Sequence, residues 1–184
     1  MLAPAMRPRI APIAAFALAL VMLAGALSAC GEEETTEVAE GEPLEMGGLA
    51  YNIQITRFLN PDDNEDAEYL VGQPPPPPGK EYLGVFLVIE NDGDEPLPSA
   101  SAYTVIDTID AEYEFVESES PYALDVGAEV PAEGQLPLPD TTAATGPNQG
   151  SLLIFEVDDG VGDNRPLELE IETSDGTGKV ILDI

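Results

Sequence analysis

The side chains available for chemistry are few in kind. The sequence holds 36 aspartates and glutamates, one cysteine and no histidine. Acyl transfer needs a base beside its nucleophile. Without histidine only a Ser–Lys dyad built on Lys80 or Lys179 could supply one, and neither lysine sits in a suggestive motif. Zinc and copper sites draw on His and Cys, and the single thiol, Cys30, has no companion. Paired carboxylates can split a glycosidic bond, which keeps a carboxylate-based hydrolase as a remote alternative. Against it, no tryptophan is present to stack on a sugar, and the acidic stretches read as loops or solvated strand faces. No catalytic residue is assigned, and the expectation is a protein that is not an enzyme.

No cofactor is expected; calcium is the one worth weighing, because it takes six to eight oxygens, several of them carboxylates. Two loops offer such groups. The run Asp62-Asp63-Asn64-Glu65-Asp66 opens with the spacing of an EF-hand loop, but Ala67 replaces the required glycine and Gln73 stands where the bidentate glutamate belongs, so that match fails. The run from Asp158 to Asn164 has no recognised spacing and leaves Asp158, Asp159 and Asp163 as weak calcium candidates.

The remaining reactive group is the Cys30 thiol, and its surroundings are informative. Arg7 and Arg9 precede an apolar or small-residue stretch from Ile10 to Leu27, interrupted by Pro12. A basic segment, an apolar segment and a small-residue cleavage zone make a secretory signal. Leu27-Ser28-Ala29-Cys30 then closely resembles the lipobox of bacterial lipoproteins. That resemblance implies that the Cys30 thiol receives a diacylglycerol, that cleavage falls after Ala29, and that Cys30 begins a mature chain anchored in the membrane. Two other readings stand beside it: an uncleaved apolar helix as anchor, and a plain secretory signal with Cys30 incidental. All three carry the rest of the chain out of the cytoplasm. A lone cysteine also has no disulfide partner.

Arg57, Lys80, Arg165 and Lys179 are the cations that remain beyond the signal, against all 36 acids, for a formal charge of −32. Such a surface repels phosphates, so neither nucleic acid nor an anionic lipid surface is expected as a partner. Solubility, self-repulsion or adaptation to salt explains the charge more simply than a basic partner or divalent counter-ions. The expected partners are the membrane, through the lipid on Cys30, and an unidentified envelope protein.

Three segments follow. Residues 1–29 read as the lipoprotein signal peptide. Residues 30–47 read as the lipidated N-terminus and a disordered acidic linker, because seven glutamates through Glu45 leave only Val38, Leu44 and Met46 to interest a core. Residues 48–184 read as the folded domain, long enough to bury one core.

Within it the dominant period is two. Leu49, Tyr51, Ile53 and Ile55 alternate with small or polar residues; Leu167, Leu169 and Ile171 alternate with Glu168, Glu170 and Glu172. The segments from Tyr82 to Ile89 and from Ser151 to Val157 are apolar on both parities and read as central strands. Tyr103 to Ile109, Tyr113 to Val116 and Val180 to Ile184 complete a set of seven, and Gly134 to Leu138, with Pro137, is at best an edge strand. Ser174-Asp175-Gly176 predicts a hairpin, and Pro121 to Asp125 has room for one helical turn. Pro74 to Pro78 predicts a polyproline II rod, read as a stiff crossover between sheet edges in preference to a docking ligand for an aromatic groove. Seven to eight short strands with regular turns predict an all-β, immunoglobulin-like antiparallel β-sandwich.

The stretch from Lys80 to Pro96, with its Asn91-Asp-Gly-Asp-Glu-Pro96 turn, resembles the telokin-like, immunoprotective extracellular domains found in many bacterial lipoproteins and secreted proteins. Tyr103 to Asp107, Glu112 to Glu114, Gly150 to Val157 and Pro166 to Ile171 are similar to that family's later strands. Ala111 departs from it, standing where the family usually has a turn glycine. The resemblance implies the sandwich and an envelope location. It implies no active site, since the family is largely of unknown function. A non-catalytic binding or scaffolding module is the function it leaves, with a calcium-binding envelope lipoprotein as the alternative.

Overall fold

A computed structural model describes residues 36–184. The expected signal segment, the lipobox and Cys30 lie outside the described residues. Two β-sheets pack face to face as a sandwich and share one strand. The first sheet runs β1 (Glu37–Ala39), β12 (Gly176–Leu182), β11 (Leu167–Thr173), β6 (Ala102–Ile106) and β7 (Glu112–Val116). The second continues from β7 through β10 (Ser151–Asp158), β4 (Lys80–Asn91), β3 (Leu49–Leu59) and β2 (Leu44–Met46), with β9 (Gly134–Leu136) beside the end of β4. A separate small ladder joins β5 (Leu97–Pro98) to β8 (Glu129–Val130).

Alternation produced this arrangement for the physical reason it usually does: successive side chains point to opposite faces of a strand. On β11, Leu167, Leu169 and Ile171 are fully buried between the sheets while Glu168, Glu170 and Glu172 face outward. On β4, Leu83, Val85, Leu87 and Ile89 face the inter-sheet core with Tyr51, Ile53, Leu153 and Phe155. The opposite parity of β4 is also buried through its middle, from Tyr82 to Phe86, and reaches solvent only toward the strand ends, as at exposed Glu90. Tyr82 and Phe86, with Leu152 and Ile154 of β10, form a second apolar cluster on the outer face. A short helix α1 (Asp66–Tyr69) and a second, α2 (Thr142–Thr145), cover it through Tyr69, Leu70 and Ala143. Tyr69 meets Phe86 and Tyr122 edge-on, with ring centroids 5.0 and 4.7 Å apart. The two-sided apolar pattern therefore reflects a covered outer face, each large side chain contributing on the order of 1.5–3 kcal/mol by its burial.

Several sequence expectations are corrected. The fold contains twelve strands among the described residues, not seven or eight, because β1, β2, β5 and β8 are only two or three residues long. From Thr36 onward the acidic linker expected through residue 47 is part of the sandwich, whose first strand, β1, begins at Glu37, ahead of residue 48. In that linker β1 pairs in parallel with β12, β2 pairs with β3, and Leu44 is fully buried. The loop from Asn60 to Gly79 does not cross between sheets. It joins β3 to its hydrogen-bonded neighbour β4 and caps the outer face. Residues 121–125 form no helical turn; Ala123 makes an isolated parallel bridge to Leu152. β6 ends at Ile106 because Asp107 turns the chain, and the left-handed position of that turn falls on Asp110 (φ 62°), which accounts for alanine at 111.

The first eleven described residues, Thr36 to Met46, act as a clasp across the open side of the sandwich. β1 lies at the outer edge of one sheet and β2 at the outer edge of the other. Between them the Glu40 carboxylate accepts hydrogen bonds from the Thr56 N–H (3.0 Å), on β3 of one sheet, and the Asp183 N–H (2.9 Å), just past the end of β12 in the other. Gly178 makes room for the clasp, since a Cβ there would collide with Leu44 and Met46. Among the described residues no helix is long and apolar enough to cross a membrane.

Candidate functional site

The acidic loops singled out by the sequence are spent on structure. Asp66 is 4 % exposed; it pairs with Arg57 and accepts the Asn60 N–H at 2.8 Å, so it closes the β3–α1 loop. Asp63 accepts the Glu65 N–H at 2.8 Å in a local turn. At the end of β10, Asp158 holds Lys80 at 2.7 Å and accepts the Tyr113 hydroxyl at 3.3 Å, while the Lys80 ammonium lies 5.7 Å from the centre of the Tyr113 ring. The hydrogen bond from Lys80 is the main reason the Asp158 carboxyl is held below the usual carboxylate range. Burial, reinforced by the Asp158 and Asp107 charges, pushes Tyr113 up to about 12. Asp159 and Asp163 are exposed. Among the described residues no three acidic or other metal-ligating side chains are grouped to hold a metal, so the structure does not bring Asp158, Asp159 and Asp163 together as a calcium set.

Asp107 sits at the same end. Burial raises its pKa, but hydrogen bonds from the Ala111 and Ile109 N–H groups and from the Asn164 amide outweigh that and hold it low. It ties the β6–β7 turn to the loop after β10. The proline rod is likewise fixed: Tyr82 donates its hydroxyl to the Pro74 carbonyl at 2.9 Å, and the Lys80 N–H bonds the Pro77 carbonyl at 3.0 Å.

A groove lies elsewhere, where β7 passes from one sheet to the other. Glu112 to Glu114 pair with β6, but Phe115 and Val116 pair with Phe155 and Ile154 of β10. At Glu117 the chain leaves β10, and it returns only at Tyr122, now running parallel: the Leu152 N–H bonds the Tyr122 carbonyl at 2.7 Å and the Leu124 N–H bonds the Leu152 carbonyl at 2.9 Å. The detour opens a groove of about 650 Å³, within the range of small-ligand sites. Half-buried Phe115, Val116, Ala123 and Val126 line it beside buried Leu152 and Leu153, together with exposed Glu117, Glu119 and Asp125. A cavity of about 310 Å³ adjoins it, shares Phe115 and Glu117, and adds Tyr103 and Glu114.

The detour is itself anchored. Gln73 donates its amide to the Glu117 carbonyl at 2.6 Å, and the Ser120 hydroxyl bonds the Glu68 carbonyl at 3.2 Å. The groove's outer wall is thereby hung from the proline loop and α1. Sequence reasoning assigned none of these residues to a site, although it placed Phe115, Val116, Leu152 and Leu153 on strands. The only signal was the polar run Glu117-Ser-Glu-Ser-Pro121 between two apolar segments, and nothing in it reveals that β7 changes partner at Phe115.

No family model matches the sequence, and no curated protein matches it either. Solved structures do share its fold. An uncharacterised β-sandwich protein from Clostridium difficile matches at a TM-score of 0.50 and 15% identity, over 82% of this chain and 95% of that one. The yjhA protein from Bacillus subtilis matches at 0.51 and 15%, over 79% and 99%. A secreted protein from Mycobacterium tuberculosis matches at 0.51 and 11%, over 82% and 98%. At such identities the likeness is one of fold, a β-sandwich.

Proposed function

We propose that this protein is a lipid-anchored, extracytoplasmic binding module without catalytic activity, and that its sandwich is of the immunoglobulin-like, telokin-like kind. The observation that carries the reading is one of placement. The chain's single cysteine closes Leu27-Ser28-Ala29-Cys30, and the first strand of the sandwich starts at Glu37, a few residues downstream in sequence. A diacylated thiol holds such a domain stably, where one acyl chain alone gives marginal binding. The secreted Mycobacterium tuberculosis protein that shares the fold is in keeping with export. The absence of a catalytic role is supported by the commitments of the amines, since Lys80 is paired with Asp158 and Lys179 with Glu168 and Glu170. The groove between β7 and residues 122–126 is the surface assigned to binding.

The test is expression in a bacterial host with labelled palmitate. The mature chain should begin at Cys30, carry label and sediment with membranes, and Cys30→Ser should lose the label and the cleavage together. An unlabelled chain with a free Cys30 thiol would remove the anchor from the reading.

A further inference from the structure

We propose that Pro74 to Pro78 is a docking ligand: a polyproline II rod that seats in a groove lined by tryptophan and tyrosine rings on a second protein. The inference goes beyond the reading of the domain as an anchored module, and it needs neither the anchor nor the β7 groove.

The path of the chain does not require the rod. It lies between Leu59 and Lys80, which end and begin neighbouring antiparallel strands. About two to five residues close such a hairpin. The outer face is covered by Tyr69 and Leu70, which come before the prolines.

Covalent geometry fixes the rod's shape. Each proline ring holds φ near about −65°. Pro74 to Pro77 each precede another proline, which drives ψ into the extended range. Every peptide bond into these prolines is trans. The product is polyproline II, with about three residues per turn. Exposure follows that period: Gln73 and Pro76 are half-buried, whereas Pro74, Pro75, Pro77 and Pro78 are exposed. One edge of the rod therefore lies against the domain. Two edges, Pro74 with Pro77 and Pro75 with Pro78, are presented outward. Both ends are held, by the Gln73 amide on the Glu117 carbonyl and the Lys80 N–H on the Pro77 carbonyl. A rod ordered in advance gives up little freedom on docking.

What the rod offers decides what it fits. Proline has no N–H, so the rod cannot extend a sheet edge. It presents apolar ring faces and acceptor carbonyls. Among the described residues, the Pro75 and Pro78 carbonyls accept no protein hydrogen bond. Side chains that both stack and donate, tryptophan through its N–H and tyrosine through its O–H, complement such a surface. No charge interrupts the chain from Tyr69 to Gly79, so the receiving groove needs no basic rim. A second copy of this chain cannot be the occupant, because it has no tryptophan and its six tyrosines are all buried.

The lack of tryptophan also makes the chain silent in tryptophan fluorescence, so a partner's emission is read without background. The experiment titrates the full chain, in a neutral detergent, into a WW domain and an SH3 domain, whose grooves are aromatic and take proline-rich segments. The free peptide acetyl-Gln-Pro-Pro-Pro-Pro-Pro-Gly-amide is titrated alongside. At least one domain should give a saturable shift in emission with the chain, at an affinity tighter than or within about tenfold of the peptide's, and the peptide should displace the chain. Replacing two outward prolines together (P75A, P78A) should weaken binding by about tenfold or more. The same change at exposed Pro96 and Pro139 (P96A, P139A) should alter it by less than about twofold. A melting temperature unchanged from the parent chain shows that the variants are folded. A chain that binds more than about tenfold more weakly than the peptide has its rod closed off by the fold, which would overturn the proposal. So would equal weakening by the two pairs, a peptide that fails to displace the chain, or no saturable shift with either domain. The Cys30→Ser chain should bind as the parent does, so a failed lipid anchor leaves this result intact and a failed titration leaves the anchor intact.

Discussion

Two glutamate-rich segments of this chain have nearly the same composition and opposite histories. Residues 37–46 and residues 167–173 both interleave acids with a few apolar side chains, and both are strand-bearing parts of the sandwich. In the second, Leu167, Leu169 and Ile171 repeat often enough to declare a strand. In the first the apolar residues are isolated: Val38 serves β1 and Leu44 and Met46 serve β2, with a turn between. What holds the first segment is long-range. Its carboxylate at Glu40 binds backbone N–H groups on β3 and just past the end of β12, whereas Glu168 and Glu170 on β11 face outward to Lys179 at 2.9 and 3.0 Å. The lesson is that a glutamate run signals solvation only when nothing distant needs its oxygens.

The comparison breaks most directly at the buried leucines. Leu44 and Leu169 are both fully buried. Each change to alanine should cost ~2–5 kcal/mol in urea unfolding. A Leu44→Ala cost below ~1 kcal/mol, beside a full cost for Leu169→Ala, would show that the N-terminal segment is a loose cover. The next effect concerns the acids. Glu40→Ala strips acceptors from two backbone N–H groups and should cost ~1–3 kcal/mol, while Glu172→Ala on the exposed face should stay within ~0.5 kcal/mol. Equal effects from the two would abolish the distinction drawn above.

The smallest effect belongs to Lys179. Hydrogen bonds to Glu168 and Glu170 raise its pKa above the ordinary 10.5. A raised folded-state value stabilises fully below the unfolded pKa and is lost as pH climbs through the folded one. At neutral pH Lys179→Met should therefore cost only ~0–1 kcal/mol, as exposed pairs do. Above about pH 10, as the pH climbs through the raised folded-state value, the parent chain should lose more stability than the variant. Parallel unfolding curves over that window would show that the ion pairs contribute nothing.

Much of the sandwich was legible because its seven longer strands repeat the period of two over enough residues to be recognised. The turn at Ser174 to Gly176 and the edge strand at Gly134 were legible for local reasons, a turn-forming sequence and a proline. The remaining elements depend on partners far away in sequence. β1 exists because β12 offers an edge; α1 and α2 exist because Phe86 and Ile154 need covering. The groove was the least legible part of all. It arises from a change of hydrogen-bonding partner at Phe115 and a return at Tyr122, and neither event leaves a mark on the residues where it happens.

The parallel pairing of β1 with β12 gives the domain a compass. Glu37 lies beside Lys179 and Ala39 beside Ile181, so the chain enters the fold from the Gly176 end. Residues 31–35 separate Cys30 from Thr36, at most about 20 Å of fully extended chain. The tips at Gly47–Gly48 and Ser174–Gly176 lie at that entry end of the sandwich, the proline rod and the Asp107 turn at the opposite end, and the β7 groove between the two.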